Sequence, residues 1–245
     1  MDTMSNVQQA DRMTAELHHL IENTETSALE FRSFFVAWDG VLVAAYNAFT
    51  PALQLLKDSI NANNEIVLQA ENHGSRWPKT TLGAIKDDHP PLSLSELKML
   101  REICITQSAA MDHRPVQVDS LDLVDFESRN LEKVVNKVHF DLSTVNVSAS
   151  TEVSDASKAV VEQVLSEFFG STDEEYLPCV KANRNRYSSY SQRQNGSTLV
   201  HLLNMEFAAQ MRAFKSAIDL AFPGKYCWFA EDSLHITVRG LDPPI

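Results

Sequence analysis

The chain has 245 residues, 44% of them hydrophobic, with 33 acidic against 21 basic side chains and a net charge of −12. Its length and apolar content fit one large globular domain or two lobes sharing a core, and exclude a disordered chain. The acidic balance argues against non-specific binding to long nucleic acid, which needs a broad basic surface, but allows a small anionic ligand in a local basic pocket. The cysteines Cys104, Cys179 and Cys227 are far apart and form no metal-type pair, so reduced core thiols are expected. No signal peptide, organelle transit peptide or membrane span is legible, and a cytoplasmic chain, or a nuclear one, is the default expectation.

Residues 1–28 read as a polar leader with one helix around residues 10–22. Phe31–Trp38 is aromatic and β-branched and predicts a strand closed by Asp39-Gly40. From about Val41 to Ile60 the apolar residues Leu42, Tyr46, Phe49, Leu53, Leu56 and Ile60 recur every three to four positions and predict a helix, with Pro51 starting a second segment or kinking it. Glu65–Ala70 predicts a short strand, and Glu71–Pro78 a loop that leads into Lys79–Ile85. After the break at Asp87–Pro91, Ser93 or Ser95 caps a helix; in the first case Glu96 stands at the capping-box position.

Two strands follow, Val116–Phe126 and about Leu131–Leu142, joined by a hairpin turn at Glu127–Asn130. Ser154 and Asp155 cap a helix that runs to Phe169 and ends at Gly170. Ser171–Tyr176 reads as an acidic loop. Lys181–Arg193 then carries Lys181, Arg184, Arg186 and Arg193 and no acid. Strand Thr198–Leu203, a helix from Met205 to Ala221, and the segment Tyr226–Phe229 lead to the last strand, Leu234–Gly240. There, period-2 alternation puts Ile236 and Val238 on one face and His235, Thr237 and Arg239 on the other. An imidazole, a hydroxyl and a guanidinium in one row suit a phosphoryl group.

The two halves repeat coarsely. Each runs strand, helix, tryptophan-containing loop, then a strand with an ionisable residue two positions before a threonine: Lys79-Thr80-Thr81 in the first half and His235-Ile236-Thr237 in the second. This arrangement, with Leu234-His235-Ile236-Thr237-Val238 as one copy, resembles the 2H phosphoesterases, which include RNA-ligase-like and cyclic nucleotide phosphodiesterase members. The resemblance covers about residues 29–245. It implies an α+β fold of two pseudo-symmetric lobes of antiparallel sheet with outer helices around a central cleft, the lobes dividing near 143–155. It also implies metal-independent chemistry with no cofactor. Histidines of the two motifs would serve as base and acid on a 2′,3′-cyclic phosphate or RNA-derived phosphodiester, and the hydroxyls would hold the phosphate. His235, Thr237 and Thr81 match those motifs. Lys79 stands where the first histidine is expected, and lysine is a poor base near neutrality unless burial depresses its pKa.

The candidate catalytic residues are therefore His235 and Lys79, with Thr81, Thr237 and Arg239 at the phosphate. Lys79 reads equally as a solvated lysine. His73, in the loop before Lys79, is a possible substitute imidazole. Arg76 and Trp77 suit a phosphate contact and base stacking, although Trp77 reads equally as core. Arg184, Arg186, Tyr187, Tyr190 and Arg193 read as a solvated loop or as a clamp on a nucleotide. The expected partner is a small phosphorylated ligand, such as a cyclic nucleotide or RNA end. A non-catalytic nucleotide-binding module of the same fold is the main alternative, and an acidic interaction protein with purely structural motif strands the third.

Overall fold

The computed structural model describes residues 14–64, 66, 68, 71, 76–111, 114–144, 153–181 and 185–241. A first helix, α1, occupies residues 14–22 of these. Strands β1 (Ser27–Leu29), β2 (Phe31–Val36) and β3 (Leu42–Tyr46) precede helix α2 (Pro51–Ala62) and strand β4 (Lys79–Ile85). Helix α3 (Leu94–Ala110) leads to β5 (Val116–Val118), β6 (Ser120–Phe126) and β7 (Val134–Asp141). Helices α4 (Asp155–Phe169), α5 (Asp173–Lys181) and the short α6 (Ser188–Ser191) come next. The chain then forms β8 (Gly196–Leu202), α7 (Met205–Ala221), β9 (Tyr226–Trp228) and β10 (His235–Leu241).

The fold is α+β with antiparallel sheets. One four-stranded sheet has the order β2-β3-β4-β9, the other β10-β8-β6-β7, and β1 pairs with β5 in a two-stranded ribbon. Buried apolar residues from both large sheets, among them Leu42, Leu82, Leu121, Leu199, Ile236 and Val238, belong to one connected core. Helices complete it: Phe214 of α7 stacks on Phe34 of β2 with ring centroids 4.1 Å apart, and Phe168 of α4 packs against Phe35 at 6.1 Å. No helix of the described residues is long and apolar enough to cross a membrane.

Several elements follow their sequence signals closely. Ser93 accepts from the Glu96 amide while the Glu96 carboxylate accepts from the Ser93 amide, a complete capping box. Ser154 caps α4 and Gly170 ends it, as its composition predicts. The differences are as informative. The helix expected from Val41 is a strand as far as Tyr46, and only Pro51 starts a helix, with Thr50 as its cap. Every residue of β3 is buried, so the strand has no polar alternate, and the spacing of Leu42, Tyr46 and Phe49 imitates a helical period.

The expected strand Val116–Phe126 is two strands in different sheets, broken at Asp119. The expected acidic loop Ser171–Tyr176 contains the start of α5. Thr172 and Glu175 exchange side-chain and backbone hydrogen bonds in a second capping box, and Asp173, Glu174 and Glu175 favour the positive end of the helix dipole. Sheet membership also ignores a division near 143–155: β6 and β7 join the sheet of β8 and β10, and β9 joins that of β4. Glu65–Ala70 lies largely outside the described residues.

Strands β4 and β10 come together side by side, although neither pairs with the other. The position of β4 depends on Gly83, which lies opposite Trp228 in the pairing with β9. A Cβ at Gly83 would lie 2.7 Å from the Cys227 carbonyl oxygen and 3.0 Å from the Trp228 ring. Gly83→Ala is therefore expected to destabilise the protein by about 1–3 kcal/mol, as overpacking does. An unchanged urea midpoint for this variant would show that β9 yields freely.

Candidate functional site

Alternation along β4 leaves Lys79 and Thr81 partly exposed while Thr80 and Leu82 are buried. Thr80 shares a hydrogen bond of 3.0 Å with the buried Tyr46 hydroxyl, which fixes the inner face of the strand. On β10 the same alternation leaves His235 and Thr237 partly exposed and buries Ile236 and Val238. The two outer faces meet. Lys79, Thr81, His235 and Thr237 all line one cavity of about 310 Å³ between the sheets.

Further along β10 the alternation fails. Thr237 pairs with Val200 and Arg239 with the adjacent Leu199, so Val238 is the extra residue of a bulge. Val238 and Arg239 are consequently both buried. Arg239 still lines the cavity, with its Nε donating to Asn61 Oδ1 of α2 at 2.8 Å and its Nη1 to the Gly240 carbonyl at 2.8 Å. It contributes fixed positive charge from behind the strand.

His235 has a defined tautomer. Its Nδ1 lies 2.8 Å from the Ser233 carbonyl oxygen, which can only accept, so Nδ1 carries the hydrogen. In the neutral ring Nε2 is then a lone-pair acceptor. Burial and the Lys79 charge hold the imidazolium below its ordinary pKa, against the opposing pull of the Ser233 carbonyl. Neutral His235 is thus the favoured form near pH 7, with the protonation state of a base.

Lys79 is also perturbed. Its Nζ sits 4.7 Å from the centroid of the Trp77 ring, and no carboxylate of the described residues forms an ion pair with it. Burial, Lys57 and Arg129 together bring its pKa down to about 8, with Glu71 opposing them. A lysine there is still protonated at neutrality but gives up its proton far more readily than a solvated one. Lys57 of α2 is buried and paired with Glu71 at 2.5 Å, and Glu71 is a carboxylate in the cavity wall.

Trp77 is both core and wall. It is 6% exposed, packs near Phe35 at 5.9 Å, and lines the cavity beneath Lys79. Tyr190 also lines the cavity, near Phe229 at 5.2 Å. Arg186 is elsewhere. Its Nε pairs with Asp39 Oδ2 at 3.0 Å and its Nη1 donates to the His89 carbonyl at 3.2 Å, both side chains being largely buried. It fastens the 185–193 segment to the first sheet instead of facing the cavity. Arg193 likewise pairs with Glu127 at 3.0 Å. The described part of the expected clamp is therefore a strut, apart from Tyr190. Arg76 is exposed and outside the cavity lining. His73 and Arg184 lie outside the described residues.

The cavity also includes residues that sequence reasoning gave no site role. Arg129 projects from the turn between β6 and β7, and Gln194 and Asn195 form part of the rim. Glu71 was legible only as the start of a loop. Their shared signal is closeness to chain reversals that flank the motif strands, which carries little chemistry by itself.

The coupling between the two central groups is measurable. Lys79 charge disfavours imidazolium at His235, so Lys79→Met is expected to raise the His235 pKa toward its ordinary value of about 6.5. Titration of the ring nitrogens by NMR reads this shift, together with the Nδ1–H tautomer at neutral pH. A His235 that titrates identically in both proteins would mean that the two groups do not sense each other.

Compared with models of protein families, with curated proteins and with solved structures, the chain matches none of them, and the cavity's own residues carry the functional reading.

Proposed function

We propose that the chain is a 2H-like phosphoesterase acting on a cyclic phosphate or an RNA-derived phosphodiester, with His235 as general base and Lys79 as charge stabiliser and general acid. One observation carries this reading: Lys79, Thr81, His235 and Thr237 line the same cavity, two from each motif strand. A two-lobed, pseudo-symmetric arrangement is supported by element order. The run β3–α2–β4 parallels β8–α7–β10, and in each case the first strand pairs with the motif strand. The counterpart of β8 in this reading is β3 and not β2.

The chemistry balances without further groups. Neutral His235 takes a proton from a water as its oxygen bonds to phosphorus. One ester P–O bond of the cyclic phosphate breaks, and the departing ribose oxygen takes a proton from the Lys79 ammonium. The product is a phosphomonoester with a free hydroxyl. Solvent then returns a proton to Lys79 and removes one from His235. Thr81 and Thr237 donate to the non-bridging oxygens, and Arg239 adds positive charge behind them as negative charge develops. A lysine acid with a pKa of about 8 fits this role far better than a solvated one, because acid strength and protonation at working pH are both retained.

Lysine in place of a second imidazole also favours the alternative, a module that binds a nucleotide or RNA end without turning it over. The pH profile with 2′,3′-cyclic nucleotides separates the two. Activity is expected to rise with pH as His235 loses its proton below its ordinary pKa, and to fall as Lys79 loses its own near 8. His235→Ala should lower the rate about 10²–10⁴-fold, the usual weight of a positioned acid or base. Lys79→His should move the alkaline limb down toward about 6.5, the ordinary histidine value. An alkaline limb that stays in place removes Lys79 as the acid. Wild-type protein that binds these nucleotides but releases no product at any pH is a binding module.

A further inference from the structure

We propose that Arg129 is a third cation of the anion site, beside Lys79 and Arg239, reaching in from the β6–β7 turn to bind the same phosphoryl group as Lys79, an inference that rests on the phosphate reading of the site. Arg129 lies outside both motif strands, and the cavity lining contains it. It is exposed to solvent at the cavity mouth, and no described carboxylate forms an ion pair with it. That distinguishes it from Arg32, Arg101, Arg186, Arg193 and Arg212, each of which pairs with an acid.

The turn that carries Arg129 is firmly built. The Leu131 amide donates to the Ser128 carbonyl at 2.9 Å, with Leu131 itself at a positive φ of 55°. The Asn130 amide donates to the Tyr190 carbonyl at 3.2 Å, and the Gln194 amide to the Glu127 carbonyl at 2.8 Å. Two backbone bonds thus join the turn to the 190–194 segment, which forms the neighbouring wall. The guanidinium then lies over the Tyr190 ring, 5.3 Å from its centroid. Stacking on an aromatic ring restrains the plane of a guanidinium and leaves its N–H edges available, which suits two-pronged binding of a phosphate. The Arg129 charge is also felt at Lys79, where it favours loss of the ammonium proton, so the two cations share one field. An anion placed between them would relieve their repulsion.

The test uses the full chain with inorganic phosphate as probe, followed by calorimetry at low ionic strength. Thermal unfolding serves as the control, and an exposed turn side chain is expected to leave it unchanged. Arg129→Ala should weaken phosphate binding about tenfold or more, about 1.4 kcal/mol. Arg129→Lys, which keeps the charge but not the planar fork, should restore part of the loss. The Lys79 ammonium, followed by NMR of labelled lysine, should titrate above about 8 in Arg129→Ala and close to its wild-type position in Arg129→Lys. Unchanged phosphate affinity in Arg129→Ala, a Lys79 titration that does not move, or a wild-type protein that takes up no phosphate each overturns the inference. Arg129-dependent binding by a protein that hydrolyses nothing supports the inference and removes the catalytic reading. Hydrolysis that persists with phosphate affinity indifferent to Arg129 does the reverse.

Discussion

Positive charge gathered at one seam is the constraint on which this structure turns. The chain carries a net charge of −12, yet Lys79, Arg129 and Arg239 line a single cavity in which Glu71 is the one carboxylate among the described residues. Glu71 is already engaged with Lys57. Elsewhere the protein handles buried cations by pairing: Lys225 bonds to Glu96, Arg101 to Asp173 and Arg186 to Asp39. An ammonium removed from water without an acid costs free energy, and the depressed pKa of Lys79 is that cost expressed as proton affinity. Three cations on the lining of one cavity are an observation on which the phosphate proposal rests.

The scaffold holds this surplus by making the surrounding backbone stiff. β4 is the third strand of four, bonded to β3 on one side and β9 on the other, and its residues from Leu82 to Ile85 are buried on both faces. β10 is an edge strand of its sheet, but its free side meets β4 and α2 instead of water. The bulge at Val238 twists its far half so that Arg239 reaches Asn61 of α2. α2 therefore supplies both the Asn61 anchor and Lys57, and one helix couples the two motif strands electrostatically as well as by packing.

What was legible in the sequence was whatever depends on local period and caps. The alternation of Lys79 with Thr81 and of His235 with Thr237 predicts which side chains share a face, and both strands keep it. Ser93 with Glu96 reads directly as a helix start. What escaped depends on partners distant in the chain. β3 is invisible as a strand because both of its faces are buried, which erases the alternation that would reveal it. The Val238 bulge is set by the register with β8, not by any residue within β10. Arg186 looked like a ligand-facing cation because its neighbours carry no acid, whereas its partner, Asp39, lies far back in the chain and holds a left-handed backbone at φ 58°. Charge runs describe sequence neighbours, and ion pairs are formed by spatial ones.

The same distinction explains how a lysine can stand at a position where an imidazole is expected. Read by residue type, Lys79 is the wrong group, with an ordinary pKa of about 10.4. Read by environment, it is set over Trp77, partly desolvated, and surrounded by Lys57 and Arg129. These neighbours bring its proton affinity close to that of a neutral-range acid. The Lys79 charge in turn disfavours a proton on His235, whose Nδ1–H is held by Ser233. One group is thereby kept protonated and the other neutral over the same pH range, which is the division of labour that two identical imidazoles achieve only by differing environments. In this cavity the asymmetry is written into the residue types, and burial lowers the proton affinity of both groups, bringing Lys79 down to about 8 while His235 stays below its ordinary value.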